Sequence, residues 1–194
     1  MATKLAINGF GRIGRNVLRA LMERGDDDLQ VVAINDLAPL ETNAHLFEFD
    51  SVHGRFGRPV TLGDNTMDVG QGPIRVTAER DPAALPWGDV DIVLECTGIA
   101  RTSDVAGRGL SAGARKVLIS GPSPAAERTV VLGANEADLG DGRIISNASC
   151  TTNGLAPLVK LLDAELGITS AHMTTIHCYT NSQPMVDAPR GDFA

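Results

Sequence analysis

Gly9-Phe10-Gly11-Arg12-Ile13-Gly14 constrains the fold of this chain more than any other stretch. It fits G-x-G-x-x-G and stands in a telling place. Before it, Lys4 to Asn8 reads as a buried strand. After it, from about Arg12, Ile13, Val17, Leu18 and Leu21 recur at helical spacing. Gly25 follows the last turn as a stop signal. The spacing has a mechanical meaning. Gly9 permits the tight turn, Gly11 lets the backbone approach a pyrophosphate, and Gly14 lets the helix pack close to the sheet. The free N–H groups and the positive dipole end of the helix then face the anion. A second apolar run, Leu29 to Ile34, leads into Asn35-Asp36. An acidic residue roughly 20 residues past the glycines accepts hydrogen bonds from ribose hydroxyls and repels a 2′-phosphate, which favours NAD over NADP. A plain βα turn with an exposed aspartate is the bland alternative. Strand, glycines, helix and acid together favour the dinucleotide.

The rest of the chain continues the alternation. Asp91 to Glu95, Lys116 to Ser120, Thr129 to Leu132 and Arg143 to Ser146 read as further strands. Strands alternating with helices imply an α/β fold of parallel βαβ units with right-handed crossovers. Ser51 to Trp87 is different. Its short pieces, Val60 to Leu62, Met67 to Val69 and Ile74 to Val76, lie between glycine-rich turns and read as hairpins inserted at the sheet edge. Beyond Ser149, Leu155, Leu158, Leu162 and Leu166 mark a long helix. Ile168 to Tyr179 reads as a strand, followed by a polar loop with Pro184 and Pro189.

Composition narrows the function. The 17 basic residues are scattered and the net charge is −7, which argues against a nucleic-acid surface. No apolar run approaches the roughly 18 residues of a membrane span. The opening Met1-Ala2-Thr3-Lys4 leads into too short an apolar run for a secretory signal. Three cysteines without a C-x-x-C spacing argue against a disulfide framework or a zinc site, and no metal is expected. The expectation is a cytoplasmic protein acting on a small molecule, with no nucleic-acid or membrane partner.

Cys150 is the candidate nucleophile. Ser149 is a good N-cap, which places Cys150 in the first turn of the long helix. The helix dipole there favours thiolate over thiol. A free cysteine is more commonly buried and inert, but Ser149-Cys150-Thr151-Thr152-Asn153 is a polar setting. His177 is a candidate base and acid for it; on spacing alone, His172 in the same run is an equal candidate. His45 and His53 read as structural. Cys96 reads as core or as near the cofactor. Cys178 is expected on the opposite strand face from His177 and inert.

These residues resemble a known family. Asn8 to Arg15, Asn35-Asp36, Asp50 to Gly54, Glu79 to Pro82, Ser146 to Asn153, Met173 to His177 and Tyr179-Thr180-Asn181 are similar to phosphorylating glyceraldehyde-3-phosphate dehydrogenase, along the whole chain. The resemblance implies a Rossmann-type, mostly parallel sheet over residues 1–149, the NAD-binding domain. Residues 150–194 would begin an α+β catalytic domain that looks truncated. It implies that Cys150 attacks the aldehyde of glyceraldehyde 3-phosphate, that His177 takes the proton, and that inorganic phosphate cleaves the resulting thioester. Gly9, Gly11, Arg12, Ile13, Asn35, Asp36, Arg80, Thr97, Gly98 and Ser120 would hold NAD. Ser149, Thr151 and Thr180 would bind phosphate groups. The full-length enzyme would be a homotetramer of glycolysis and gluconeogenesis.

The sequence also departs from the family pattern. Gly154 stands where a second cysteine is usual, Cys96 where serine is common, and Ser182 where an aspartate is frequent; Pro189 matches NAD-specific members. Two alternatives stay open: erythrose-4-phosphate dehydrogenase, and a non-catalytic NAD-binding fragment, because 150–194 is too short for a core of its own.

Overall fold

The apolar runs of the sequence become the middle of one sheet. In the computed structural model, which describes residues 2–25, 27–180 and 187–188, the first strands are β1 (Thr3–Asn8) and β2 (Leu29–Asn35). Then come β3 (Phe49–Asp50), β4 (Gly54–Arg55), β5 (Thr61–Gly63), β6 (Thr66–Asp68) and β7 (Pro73–Thr77). The last are β8 (Ile92–Glu95), β9 (Lys116–Ile119), β10 (Arg128–Thr129) and β11 (Ile144–Ser146). The helices are α1 (Arg12–Arg24), α2 (Leu40–Glu48), α3 (Ser103–Ala106), α4 (Arg108–Ser111) and α5 (Cys150–Leu166).

Among the described residues, nine strands form one sheet in the order β10-β11-β9-β8-β1-β2-β7-β6-β5, and β3 pairs with β4 apart from it. Every pairing from β10 to β7 is parallel. The β5–β6–β7 hairpins run antiparallel at the edge, where the glycine-rich insertion was expected. This is a Rossmann-type α/β fold followed by the start of a second unit at α5. A parallel sheet is covered on both faces, and β1 shows how. Leu5 and Ile7 point into one apolar cluster with Leu18 and Met22 of α1. Ala6 points into the other, with Trp87, Val93 and Val117. Complete burial of a side chain such as Leu18 contributes about 1.5–3 kcal/mol.

The topology also chooses the site. Strands spread outward from β1 in both directions, through β2 on one side and β8 on the other. Where the order reverses, the carboxyl ends of the strands leave a crevice. Helix α1 starts at that crevice and ends at Gly25, in the left-handed region at φ +63°, with its N–H on the Leu21 carbonyl. Gly14 sets how near α1 comes. A Cβ there would lie 2.3 Å from the Gly9 carbonyl oxygen.

Two expectations need correction. The run Thr129 to Leu132 is a strand only at Arg128–Thr129, because the Val131 N–H is taken by the Asn135 side-chain oxygen at 2.8 Å, which turns the chain. Residues 168–179 do not form a strand. A strand needs a neighbour to complete its backbone hydrogen bonds, and among the described residues none pairs with this stretch; Ile176 and Tyr179 are exposed. Helix α5 forms as its leucine spacing implies, yet none of its residues is buried. Asn181, Ser182, Pro184 and Pro189 lie outside the described residues.

Replacing Gly14 by alanine drives a methyl group into the Gly9 carbonyl, which is backbone and cannot move aside. The expected loss of stability is about 1–3 kcal/mol, the usual cost of overpacking, read as a lower urea midpoint. An unchanged midpoint would show that α1 is free to shift.

Candidate active site

The dinucleotide cradle is built from backbone. Gly9 sits at φ +89°, and a Cβ there would meet the Thr97 nitrogen at 2.7 Å. Gly11 caps α1 without a side-chain hydrogen bond, and no acidic residue lies in the first turn. The first N–H groups of α1 therefore point to the crevice with no carboxylate of the helix's own first turn against them, as suits an anion site. Asp36 stands at the end of β2. One of its oxygens accepts from Phe10 N–H at 2.6 Å and the other from Ala38 N–H at 2.9 Å. Each oxygen keeps a lone pair for a ribose hydroxyl. These residues fit NAD.

Other predicted cofactor residues land at the same sheet edge in different states. Thr97 and Gly98 are exposed just past β8, and Arg80 is exposed past β7. Arg12 turns its guanidinium away, toward Asp50 at 3.1 Å and Asp187 at 2.9 Å, so what it offers the crevice is its backbone N–H. Asn35 is buried, and its side chain is spent on Asn8, Thr77 and Glu79. Ser120 hydrogen-bonds Cys96, whose thiol is pushed up to about 12 by burial and so stays protonated.

The nucleophile sits on a separate lip. Ser146 ends β11, and its hydroxyl donates to the Gly121 carbonyl at 2.8 Å and accepts from Ala148 N–H at 3.1 Å. Ala148 takes a left-handed φ of +58°, which turns the chain into α5. Ser149 caps that helix, accepting from Thr152 N–H at 3.1 Å. Cys150 follows as the first helical residue, exposed at the dipole's positive end.

The Cys150 sulfur lies 3.1 Å from His177 Nε2. His177 Nδ1 is 2.6 Å from the Cys178 carbonyl oxygen. A carbonyl only accepts, so Nδ1 carries a proton, and in the neutral ring Nε2 presents its lone pair to the thiol. The His177 hydrogen bond is the main reason the Cys150 thiol lies below the ordinary thiol range; the slight desolvation of this exposed thiol opposes it, and the Thr151 N–H and the charge of His177 assist. His177 is raised in turn, first by the Cys178 carbonyl and then by Cys150. Both shifts run in the sense that favours a thiolate beside an imidazolium.

The pair opens into a cleft of about 810 Å³ whose walls include Ile13, Ser120, Ser149, Thr151, Tyr179 and Thr180. Ile13 belongs to the first turn of α1, so the cleft adjoins the dinucleotide cradle. The structure selects His177 over His172 as the partner of Cys150. Cys178 is exposed and lines the same cleft. Sequence reasoning missed the buried polar pair Asn8 and Glu95, joined at 2.6 Å beneath the cradle. Its only signal was a polar residue closing two otherwise apolar strands.

The sequence is similar to those of known proteins. A family model described as glyceraldehyde 3-phosphate dehydrogenase, NAD binding domain, matches residues 3–103. A second, described as glyceraldehyde 3-phosphate dehydrogenase, C-terminal domain, matches residues 149–194. The chain is 56% identical over 193 residues to glyceraldehyde-3-phosphate dehydrogenase of Cereibacter sphaeroides and 57% identical over 195 residues to that of Xanthobacter flavus. Each match covers 99% of this chain and 58% of the relative, so the chain spans less than two thirds of the length of these relatives. No helix among the described residues is long and apolar enough to cross a membrane.

The thiol's environment has a direct readout. Alkylation by iodoacetamide follows the thiolate and rises with pH through the thiol pKa. The Cys150 profile is expected to turn up below the ordinary thiol range, and His177→Ala is expected to move it upward. Overlapping profiles for the two proteins would show that His177 does not hold the thiolate.

Proposed function

The chain belongs to the glyceraldehyde-3-phosphate dehydrogenase family and carries its NAD-binding domain, and from that premise we propose that it serves the NAD-dependent oxidative phosphorylation of D-glyceraldehyde 3-phosphate to 1,3-bisphosphoglycerate. The observation that carries this reading is the 3.1 Å approach of Cys150 Sγ to His177 Nε2 in a cleft that borders the first turn of α1.

The chemistry follows from the groups present. His177 Nε2 draws the proton from Cys150, and the sulfur attacks the aldehyde carbon to form a hemithioacetal. The Cys150 backbone N–H, at the helix start, and the protonated His177 stabilise the developing oxyanion. NAD, when bound, supplies the hydride acceptor. His177 gives its proton to that oxyanion and, neutral again, takes it back from the hemithioacetal hydroxyl as the carbon is oxidised, leaving a thioester on Cys150. Inorganic phosphate cleaves that thioester; Ser149, Thr151 and Thr180 line the cleft, which supports their binding phosphate groups on this reading. On this reading residues 1–149 form the NAD-binding domain and 150–194 begin the catalytic domain.

A second reading has its own observation. Leu158, Leu161, Leu162 and Leu166 of α5 are exposed, as is Ile176 beside the histidine. A polypeptide of these 194 residues alone would then bind NAD with little turnover.

The test is NADH formation by the purified protein. Glyceraldehyde 3-phosphate with inorganic phosphate is expected to be oxidised, and omission of phosphate to stall the reaction at the thioester. Cys150→Ser is expected to lose activity to near background, and His177→Asn about 10²–10⁴-fold, the usual range for a general acid–base group. Equal turnover without phosphate, or preference for erythrose 4-phosphate, would replace this reading with that of an erythrose-4-phosphate dehydrogenase, whose thioester water cleaves. Activity surviving in Cys150→Ala would remove the thioester mechanism.

A further inference from the structure

A chain of buried polar side chains crosses the sheet directly under the cradle. At its start, Glu79 N–H and the Thr77 hydroxyl donate to Asn35 Oδ1 at 2.8 and 2.9 Å. Asn35 Nδ2 donates to Asn8 Oδ1 and to the Glu79 carbonyl, each at 2.9 Å. Asn8 Nδ2 donates to Glu95 Oε2 at 2.6 Å. From the other side, the Thr97 N–H reaches Glu95 Oε1 at 2.9 Å and the Thr97 hydroxyl bonds to the same oxygen. Asn8, Asn35 and Glu95 are each at most 5% exposed. They sit side by side in register at the carboxyl ends of β1, β2 and β8.

The polarity of this chain is forced at both ends. Glu79 and Thr97 present backbone N–H groups, which cannot be turned round. Donors therefore converge, and one link must accept on both sides. Glu95 is that link, since a carboxylate accepts at both oxygens. Its place in the fold matters because the 96–98 turn it holds is packed against the glycine loop. The Cys96 carbonyl carbon and the Thr97 nitrogen lie under 3 Å from where a Gly9 Cβ would be. Cys96 N–H also bonds the Asn8 carbonyl at 2.7 Å, and Gly9 N–H the Asn35 carbonyl at 2.8 Å.

We propose that Glu95 is a positioning residue for the dinucleotide: without touching it, its carboxylate fixes the height of the 96–98 turn under the glycine loop and so sets the grip on NAD. The proposal rests on the NAD-binding reading of the cradle. A glutamine at 95 cannot satisfy the chain. Its NH₂ would face Asn8 Nδ2. Flipping Asn8 passes the donor–donor clash to Asn35, and flipping Asn35 passes it to the Glu79 N–H. One buried donor stays unpaired in every arrangement, and the turn is the part free to move away. A paired change escapes the clash. With Asn8→Asp and Glu95→Gln together, the glutamine oxygen accepts from Thr97. Its NH₂ donates to the new carboxylate at position 8, which also accepts from Asn35.

The experiment is calorimetric titration of the purified protein with NAD. Glu95→Gln is expected to weaken binding about 10-fold, equivalent to about 1.4 kcal/mol. The double variant, Asn8→Asp with Glu95→Gln, is expected to return to within about 3-fold of the parent by the same scale. Iodoacetamide labelling of Cys150 is expected to keep its pH profile in both variants, which separates a local effect on the cradle from general loosening. Parent-like affinity in Glu95→Gln would overturn the proposal, as would failure of the double variant to recover affinity. If Glu95→Gln does not fold, the double variant decides alone: parent-like affinity supports the proposal and a 10-fold loss overturns it. Absence of NAD binding by the parent protein would instead overturn the cradle reading, and this proposal with it.

Discussion

Helix α1 meets the end of β1 with no room for a side chain between them. That contact, Gly14 against the Gly9 carbonyl, puts the positive end of a 13-residue helix at the reversal point of the sheet. That close approach sets the shape of the loop between them. The same crowding recurs on the other side of the loop, where Gly9 rests on the 96–98 turn. The cradle is thus a backbone surface pressed between two elements, and its shape depends on what lies beneath it.

What lies beneath is polar, which is unusual for the middle of a parallel sheet. Buried polar groups cost free energy unless every donor and acceptor is matched. In Asn8, Asn35 and Glu95 each side-chain nitrogen and oxygen has a partner, in one another or in the turns that follow β7 and β8. The result ties three strand ends and two loops into one unit at the place where a ligand would press on them. Cys150 and His177 lie outside this unit, on the turn and helix that follow β11 and on the stretch beyond. Their meeting at 3.1 Å puts the thiol in a cleft that Ile13, of the first turn of α1, also lines.

Much of this was legible in the residues. The glycine loop could be read because each glycine answers a separate steric demand, and the strand before it and helix after it supply the context. Cys150 could be placed because Ser149 is a strong cap and the leucine spacing of α5 is unambiguous. The hairpin edge was visible in the glycine-rich turns between Val60 and Val76. Other features had no local signature. Asn8 and Glu95 each look like an ordinary strand end, and only the β1–β8 register joins them. The choice of His177 over His172 depends on where the stretch after α5 returns, which spacing does not say. Residues 168–179 have strand-like composition, but strand formation is a property of a pair. The resemblance put Arg12 among the residues that would hold NAD; Asp50 and Asp187 claim its guanidinium through contacts far apart along the chain.

The central claim is that cradle and thiol form one continuous site. A crystal structure of the protein with NAD bound tests it most directly. The account predicts the pyrophosphate on the N–H groups at the start of α1, the adenosine ribose on Asp36, and the nicotinamide end in the cleft beside Cys150 and His177. A dinucleotide bound elsewhere, or one whose nicotinamide end points away from Cys150, would contradict it.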